Sequence, residues 1–428
     1  MVRGASGVLA LKVASTALTF ATGVLLARIL GAEEYGIYAY AMSWMLMLVV
    51  PASMGLPVLL TRQVACYQSQ EDWDPLRGIT RWSKRVALAA SVVVALVVAG
   101  LVWVLRAKLG SPISLAIWVS LPILPFLGLV RVQEGVLRGL GQAVLAQTPQ
   151  LLVLPLLFIV LVGGFHLALD LSAQAAVLIR GLAAGGACLV GYLFYRRSFP
   201  ESAMQVAGEL RVREWLGGAF PLLLIAAGQA INAQVGIVMV GSLLDSASSG
   251  IFTVVRRGAT FVTFTMIAVN MPLAPIIASL YTQGDMERLQ RVVTKSARVV
   301  LLGSLPIALG LVVFGDWVLL IFGEEFVVGR VALAISALGM LINASMGPVE
   351  YLLNMTGHQW DAAKAAVLSV FLNVALGMVL IPIWDIEGAA IASAVGIVAW
   401  KAMLAGWVLK RLAIHPTALG DILRRRRT

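Results

Sequence analysis

Long apolar stretches separated by short polar segments run along almost the whole chain of 428 residues. A helix that crosses a bilayer needs about 20 mostly apolar residues, so the pattern predicts an all-α integral membrane protein with twelve transmembrane helices. Breaks in the stretches near 113–137 and 328–355 would change the number to eleven or thirteen. The predicted helices lie near 7–29, 38–60, 86–105, 113–137, 144–163, 172–195, 215–242, 251–279, 299–321, 328–355, 362–383 and 388–409.

The second half of the chain repeats the first at an offset of about 215 residues. The polar segment DWDPLRGITRWSKRVAL at 72–88 aligns with DMERLQRVVTKSARVVL at 285–301, and Pro57 aligns with Pro272. Membrane transporters built from two related halves commonly hold their substrate between them. The repeat therefore predicts two homologous six-helix lobes, 1–210 and 211–428, around a central cavity.

The composition indicates a membrane protein and argues against a nucleic-acid partner. Hydrophobic residues make up 60% of the chain and charged residues 12%, whereas soluble domains have about 25% charged residues. A soluble core could not bury so much apolar surface, so lipid must cover much of it. The net charge of +11 comes from basic residues in short segments between apolar stretches, rather than from one basic domain that could bind nucleic acid.

The basic residues also predict the orientation of the chain. They concentrate in the loops that follow the even-numbered helices, such as 62–85 and 196–213, whereas the opposite loops contain acidic pairs such as Glu33 and Glu34. Because basic loops face the cytoplasm, we expect a multi-pass protein of the cytoplasmic (inner) membrane with both termini cytoplasmic. The run RRRR at 424–427 is interpreted as a lipid-headgroup anchor, with a specific partner site as the alternative.

Once the residues assigned to the loops and helix ends are set aside, eight ionisable residues remain inside the predicted helices, where a charge is costly and tends to be functional. Six are basic and two are acidic. A cation exporter would use carboxylates in this region, whereas an electropositive interior favours an anionic substrate such as a phosphate or pyrophosphate. The eight residues are Lys12, Arg131, Glu134, Arg180, Arg256, Arg257, Glu350 and Lys401. Arg180 and Lys401 are expected near the membrane interfaces.

Lys12 shares one face of the first helix with Ser15, Thr16 and Thr19, which follow it by three, four and seven residues. We expect this face to line the cavity and to contact substrate. The alternative is that Lys12 extends to the cytoplasmic interface while the hydroxyls pack against neighbouring helices.

Arg256 and Arg257 are adjacent near the start of the eighth helix. Their side chains diverge by about 100°, so at most one points directly at a ligand. A guanidinium can bind phosphate oxygens through two hydrogen bonds, and we expect Arg257 to be the residue that does so.

Amide and carboxylate side chains complete the candidates. Gln229 and Asn232 share a face of the seventh helix, where amides either bind sugar hydroxyls or join helices. Arg131 and Glu134 are three residues apart, a spacing that favours an ion pair within one helix. Glu350 is the repeat mate of Glu134, and two roles are open for these carboxylates: proton or sodium coupling, or structural neutralisation of a neighbouring cation.

The sequence contains no Walker A motif, no HExxH motif and no cysteine–histidine cluster. We therefore expect no cofactor, no metal site and no enzymatic activity. The energy for transport would come from a proton or sodium gradient, from the substrate gradient or from a separate protein.

The segment ARILGAEEYGIYAY at 27–40, followed by GLPVLLTRQVA at 55–65, resembles the opening of the polysaccharide-transport flippases. These are O-antigen (Wzx-like) members of the multidrug/oligosaccharidyl-lipid/polysaccharide exporter superfamily. The shared pattern is R-x-LG-x-x-x-YG-x-Y, which begins at Arg28 and ends at Tyr38.

The resemblance implies two six-helix lobes arranged like a V, as in the MATE exporters, and alternating access coupled to protons or sodium. It implies that an undecaprenyl-pyrophosphate-linked oligosaccharide crosses the membrane while its lipid tail stays among the membrane lipids. It also implies that other polysaccharide-assembly proteins act beside this one. Cationic cavity residues bind the pyrophosphate in such proteins. Lys12 and Arg257 are the candidates here by their intramembrane charge, since the opening pattern covers neither.

Three other functions compete with this interpretation. A small-molecule exporter of the same fold is disfavoured by the cationic interior. A membrane glycosyltransferase or polysaccharide polymerase commonly has a sizeable extramembrane loop, and the longest predicted loops here are short. A lipid II flippase usually has additional C-terminal helices, for which this sequence leaves no residues.

Overall fold

The structure is a computed structural model that describes residues 2–167 and 169–418, in which every regular element is a helix. The basic run at 424–427 lies outside the described residues. In the first half the helices are α1 (Val2–Ser53), α2 (Leu56–Ser69), α3 (Trp73–Leu109), α4 (Ser111–Ser120), α5 (Ile123–Gly139), α6 (Ala143–Thr148), α7 (Leu154–His166), α8 (Ala173–Ser198) and α9 (Glu201–Gln205). A π-helical turn at Pro149–Val153 joins α6 to α7.

The second half contains eight helices and two short 3₁₀ turns, at Phe261–Thr263 and Glu324–Gly329. The helices are α10 (Val212–Leu243), α11 (Ser246–Thr260), α12 (Phe264–Thr282), α13 (Met286–Val313), α14 (Gly315–Leu320), α15 (Arg330–Ser345), α16 (Val349–Met355) and α17 (Gln359–Leu412).

The described helices are long and apolar enough for a multi-pass membrane protein. Among the described residues, nine stretches qualify as single spans, and the pair α4 and α5, bent by 41°, makes a possible tenth. Two of the nine contain 47 and 53 residues, about 70–80 Å of helix, which is more than twice the hydrocarbon thickness of a bilayer. Each of these two is long enough for two crossings, so twelve crossings are compatible with the structure and the number stays a prediction.

Both of these long helices are interrupted once. In α1 the interruption is at Gly31, whose φ of 71° and ψ of 177° suit glycine, which has no Cβ to clash. In α17 it is at Trp384 and Asp385, and Asp385 has a φ of 46°. The predicted breaks near 113–137 and 328–355 are also present, between α4 and α5 and between α15 and α16.

Helix boundaries recur in the two halves at the spacing of the sequence repeat. Asp72 precedes α3 as Asp285 precedes α13. Gly141 (φ 79°) and Gly357 (φ 84°) occupy the same turn in the two halves, after α5 and after α16. These helix boundaries therefore recur at equivalent places in the two halves.

The chain divides into two compact units, Met1–Ala230 and Ile231–Thr428, and the division falls inside α10. The first part of α10 packs on the first unit, because Trp215 is fully buried in its core and donates a hydrogen bond from Nε1 to the Tyr67 hydroxyl (3.2 Å). The Trp215 ring also lies 5.4 Å from that of Trp82. The lobe boundary predicted at 210/211 stays a prediction.

The segment 199–211, which we call the linker strap, is tied to the start of α3. Arg77 donates hydrogen bonds to the carbonyl oxygens of Met204 and Val206. Arg81 donates to the Ala207 carbonyl (3.2 Å), and the Gly208 amide donates to the Asp74 carboxylate (3.2 Å). Position 78 is glycine where the Glu209 carbonyl approaches, and a Cβ there would overlap that oxygen.

The segment 413–418, which we call the tail strap, is bound in the same way to the start of α13. Gln290 donates to the His415 carbonyl (2.8 Å) and accepts from the His415 amide (2.8 Å). Arg298 donates to the Ala418 carbonyl (2.9 Å). Because α13 is the repeat mate of α3, each unit secures one connecting segment at the equivalent place.

Two sequence predictions need correction. The basic segment expected as a loop at 62–85 is largely helical and belongs to α2 and α3, and its repeat mate at 285–301 is helical from Met286 onward, in α13. The helix expected at 299–321 is divided between two helices. Its first part belongs to α13, which begins at Met286 and ends at Val313, and its last part is the separate helix α14.

Candidate functional site

Lys12 is half-buried on α1, and its ammonium makes no hydrogen bond or ion pair with any residue that the structure describes. Ser15, also half-buried, lies one turn further along. Thr16 donates its hydroxyl to the Lys12 carbonyl at 2.9 Å, so that hydroxyl is used within the helix. Thr19 is exposed. The predicted polar face of α1 therefore offers the Lys12 ammonium and the Ser15 hydroxyl for further contacts.

Glu134 is held between two arginines in the first unit. Its side chain is 8% exposed; Oε1 lies 2.5 Å from Arg138 Nη2, and Oε2 lies 3.7 Å from Arg131 Nη1. The predicted partner Arg131 is present, but the closer partner Arg138 was missed, although its i+4 spacing is readable from the sequence. The neutralised carboxylate fits the structural alternative.

Of the two amides on α10, Asn232 is engaged in helix packing. Its Nδ2 donates to the Ser369 hydroxyl of α17 at 2.6 Å, inside the second unit. This bond favours the helix-joining alternative for Asn232. Gln229 is exposed one turn earlier, in the first unit.

Arg256 reaches into the interior of the second unit. It lines a cavity of about 10 Å³, enough for one water, together with Ser336 of α15 and Ser393 of α17. No carboxylate lines this cavity, and Arg256 forms no side-chain hydrogen bond or ion pair with a described residue. The Ser393 hydroxyl is buried there without a partner. The Arg256 side chain therefore packs between α11, α15 and α17.

Arg257 is half-buried on the same helix. A step of one residue turns a side chain by about 100°, so it points away from the cavity that Arg256 enters. Of the two arginines, Arg257 is therefore the one that is not directed into the packing of α11 against α15 and α17.

Glu350 and Lys401 lie on two helices that pack together, α16 and α17. Lys401 is only 5% exposed, and its ammonium lies 5.2 Å from the centre of the Trp400 ring. Glu350 is half-buried. Burial among helices does not fix the depth of Lys401 in the membrane, so its expected position near an interface stays a prediction. Sequence reasoning missed this packing because 50 residues separate Glu350 from Lys401.

Arg180 of α8 is half-buried, with its guanidinium 5.1 Å from the centre of the Phe158 ring. On the same helix, Gly181 and Gly185 line an apolar groove of about 390 Å³ together with Pro122 and Phe126. The groove has almost no polar lining, so it suits a hydrocarbon chain rather than a sugar. In the part of the chain that the structure describes, no cluster of three histidine, cysteine or carboxylate side chains could bind a metal ion.

Comparison with known proteins adds a family and a relative. Residues 1–281 match the family model described as "Polysaccharide biosynthesis protein". The probable low-salt glycan biosynthesis flippase Agl15 of Haloferax volcanii is 24% identical over 234 residues, which are 54% of this chain and 49% of that protein. The chain thus matches about half the length of that relative.

Solved structures share the fold over nearly the whole chain. An inward-facing multidrug resistance MATE transporter of the MOP superfamily superposes with a TM-score of 0.78, at 15% identity over 93% of this chain and 94% of that one. The lipid II flippase MurJ gives 0.71, at 14% identity over 93% and 87%. A MOP superfamily transporter from Pyrococcus furiosus, described by the reverse polarity of its binding pocket, gives 0.70, at 13% identity over 96% and 95%. At these identities the likeness establishes the fold alone.

Proposed function

Since this chain belongs to the polysaccharide biosynthesis protein family, we propose that it is a flippase that moves a lipid-linked oligosaccharide across the cytoplasmic membrane by alternating access. The family match over residues 1–281 is the observation that carries the proposal. The naming of the Haloferax volcanii relative as a glycan biosynthesis flippase supports it. The proposal includes cytoplasmic termini and other polysaccharide-assembly proteins as partners.

The excess of basic residues in the predicted spans favours a substrate with an anionic group, such as a pyrophosphate, between its sugar and its lipid. Lys12 has no ion-pair partner among the described residues, and an isolated cation in a low-dielectric region gains most from an anion. A pyrophosphate offers several acceptor oxygens for an ammonium or a guanidinium. In the proposed mechanism Lys12 of the first unit and Arg257 of the second are the candidates for binding the pyrophosphate, Ser15 donates a hydrogen bond beside Lys12, and Gln229 binds sugar hydroxyls.

The sugar is the part of the substrate that needs a polar route, because its hydroxyls lose water if they enter lipid. The lipid tail has no such need and stays in the bilayer. A flippase of this kind therefore has to shield only the pyrophosphate and the sugars. Because only the pyrophosphate and the sugars need polar contacts, a few cationic residues are enough to bind the substrate. The lipid tail can lie against apolar surfaces such as the groove on α8.

A small-molecule exporter is the second candidate, and the fold shared with MATE transporters favours it. An exporter of cations needs a carboxylate that can pair with its substrate. The carboxylate of Glu134 is already held between Arg131 and Arg138, and Glu350 lies on α16, which packs against α17, the helix of Lys401. This arrangement favours the anionic substrate.

A reconstituted flipping assay tests the proposal. The purified protein is placed in vesicles that contain undecaprenyl pyrophosphate bearing one fluorescent sugar, and a membrane-impermeant quencher reports the leaflet of the probe. Each of Lys12→Ala and Arg257→Ala removes a charge-assisted hydrogen bond, so we expect a rate about 10- to 100-fold lower. Arg62→Ala, which removes an exposed charge on α2, is the control and should flip normally.

Two outcomes contradict the proposal. Normal flipping by both variants removes the suggested pyrophosphate site. No flipping by the unaltered protein, together with export of a cationic dye from the same vesicles, favours the small-molecule exporter instead.

A further inference from the structure

One exposed face of α8 is apolar along most of its length and ends in a cation. Its residues follow one another at steps of three or four, which places them on the same side of the helix. They are Leu178, Leu182, Gly185, Leu189, Tyr192 and Arg196. Each of the three leucines is more than half exposed, and α8 is long and apolar enough to cross a membrane. This face of α8 is therefore available to membrane lipid.

The first half of this face forms one wall of the apolar groove of about 390 Å³, and Pro122 and Phe126 belong to the opposite wall. The groove stays open because positions 181 and 185 are glycines. Even a Cβ at position 185 would lie 4.0 Å from the Phe126 ring. A groove with almost no polar lining is stabilised by an alkyl chain that displaces water from it.

Cations gather where the face ends. Lys84 of α3 is half-buried beside it, with its ammonium 3.3 Å from the centre of the Tyr195 ring and 6.0 Å from that of Tyr192. Arg196 is exposed one turn beyond Tyr192. Neither the Lys84 ammonium nor the Arg196 guanidinium has a hydrogen bond or an ion pair with any residue that the structure describes. Both side chains are therefore able to bind an anion.

The carboxylates of the neighbouring elements are mostly engaged elsewhere. Glu134 of α5 is held between two arginines, and Asp74 of α3 accepts a hydrogen bond from the linker strap. Glu209 is paired with Arg211 at 2.8 Å, and α8 itself contains no carboxylate. Glu201 of α9 is exposed. The end of the α8 face is therefore positively charged and suits an anionic ligand.

The distance from the groove to the cations matches a lipid of one leaflet. Gly185 precedes Tyr192 by seven residues and Leu178 precedes it by fourteen. The groove therefore extends from about 10 Å to about 21 Å from the tyrosine along the helix axis. An acyl chain of one leaflet spans about 15 Å, which is half of the hydrocarbon thickness. A phosphate bound at Lys84 and Arg196 thus places an acyl chain of the same molecule along Leu189 and into the groove.

We propose that this face of α8 binds one anionic phospholipid of the bilayer, with its phosphate between Lys84 and Arg196 and one acyl chain in the groove. Tyr192 lies between the two parts, at the level of the headgroups that tyrosine prefers. The face gives no polar route to a sugar, because the residues before Tyr192 on it are leucines and a glycine. The occupant is therefore a phospholipid and not the transported molecule, and the inference does not depend on the proposed function.

The two cations suit a phosphate in different ways. An ammonium has three N–H donors, and the Tyr195 ring covers only one side of the Lys84 ammonium, so donors remain for phosphate oxygens. The Arg196 guanidinium can bind two phosphate oxygens at once. A zwitterionic phospholipid contains the same phosphate, but its own cation is repelled by those of the protein. An anionic headgroup is therefore preferred.

Native mass spectrometry of the purified protein tests the headgroup end. The protein in detergent is titrated with phosphatidylglycerol or with phosphatidylethanolamine of identical acyl chains, and we expect phosphatidylglycerol to bind more tightly. Lys84→Ala and Arg196→Ala should each weaken phosphatidylglycerol binding by about 10-fold, whereas Lys84→Arg should retain it. Lys295→Ala, which removes an exposed cation of α13, is the matched control.

Arg196 is exposed, so its variant tests the proposal even where Lys84→Ala does not fold. Unchanged preference for phosphatidylglycerol in Arg196→Ala and in Lys84→Ala would overturn the proposal, and so would equal binding of the two lipids by the unaltered protein.

The groove is tested by filling it. Gly185→Leu places a side chain where the acyl chain is proposed to lie, and we expect phosphatidylglycerol to bind about 10-fold more weakly. Gly100→Leu is the matched control, because Gly100 lies on an exposed part of α3 where a Cβ meets nothing within 4 Å. Equal binding by the two leucine variants would show that the groove takes no part.

Competition identifies the occupant. Inorganic phosphate and short-chain dihexanoyl phosphatidylglycerol offer the headgroup chemistry without a long chain, so both should displace the long-chain lipid poorly. Displacement by inorganic phosphate at an equal concentration would reduce the site to an anion site and overturn the proposal. Displacement by undecaprenyl phosphate in preference to phosphatidylglycerol would assign the face to the tail of the transported lipid, and would overturn it as well.

Discussion

Close contact between α2 and α5 depends on Gly135, and adding one methyl group there should destabilise the first unit. A Cβ at position 135 would lie 2.6 Å from the carbonyl oxygen and 2.8 Å from the Cα of Pro57, both backbone atoms. Ordinary contact begins near 3.4 Å, so the helices would have to separate by about 0.8 Å in Gly135→Ala. Thr61, which donates to the Gly135 carbonyl at 3.3 Å, would lose that bond as well.

Overpacking of this kind costs about 1–3 kcal/mol, which corresponds to a fall of about 2–6 °C in the unfolding midpoint. The midpoint is measured on protein in detergent, with unfolding followed by thiol-reactive dye fluorescence. Gly100→Ala is the matched control: Gly100 lies inside α3, and a Cβ there meets nothing within 4 Å. Alanine favours helix over glycine by up to about 1 kcal/mol, so the control should be as stable as the unaltered protein or more so.

The reasoning would be refuted by equal midpoints for the two alanine variants. That result would mean that α2 and α5 separate without cost, and that the glycine is not what sets their distance.

Four further predictions follow from individual contacts. Arg77→Ala removes the donor to two linker carbonyls, and limited trypsin digestion should cut the linker strap several-fold faster. Asn232→Ala breaks the bond between α10 and α17 and should cost about 1–2 kcal/mol in the second unit, measured as a lower midpoint. Glu134→Gln leaves its two arginines without an anion and should cost about 1–2 kcal/mol, less in high salt because the arginines are partly exposed. The Arg211 guanidinium, hydrogen-bonded to Glu209, lowers the pKa of that carboxyl. The contribution of this ion pair to stability is therefore present at neutral pH and is lost as the pH falls through the lowered pKa. The ¹³C chemical shift of the Glu209 carboxyl should follow this titration.

The helices and their repetition could be predicted because both depend on local features of the sequence. Apolar length alone indicates a span, and the ion pair of Glu134 follows from spacings within one helix. The packing of α16, with Glu350, on α17, with Lys401, could not be predicted, because it depends on contacts between helices distant in the sequence. The linker strap was missed for another reason: Arg77 binds backbone carbonyls, which every residue possesses and no sequence pattern marks.

The positions at which helices are interrupted are also predictable only in part from the sequence. Gly31 belongs to the segment that resembles known flippases. In the structure α1 is interrupted at this residue, where a positive φ suits glycine. Asp385 adopts a positive φ as well, although nothing about an aspartate in an apolar stretch predicts that. The sequence therefore marks an interruption of a helix only where the residue is a glycine.

The two straps have a consequence for how this molecule arose. The linker strap is an internal segment and the tail strap follows the last helix, yet both fasten to the same part of their own unit. Duplication and fusion of one set of helices with such a strap would give this arrangement, in which the strap of the first copy serves as the connection between the copies. Each unit then has its own strap, and loss of Arg77 should loosen the linker strap without loosening the tail strap.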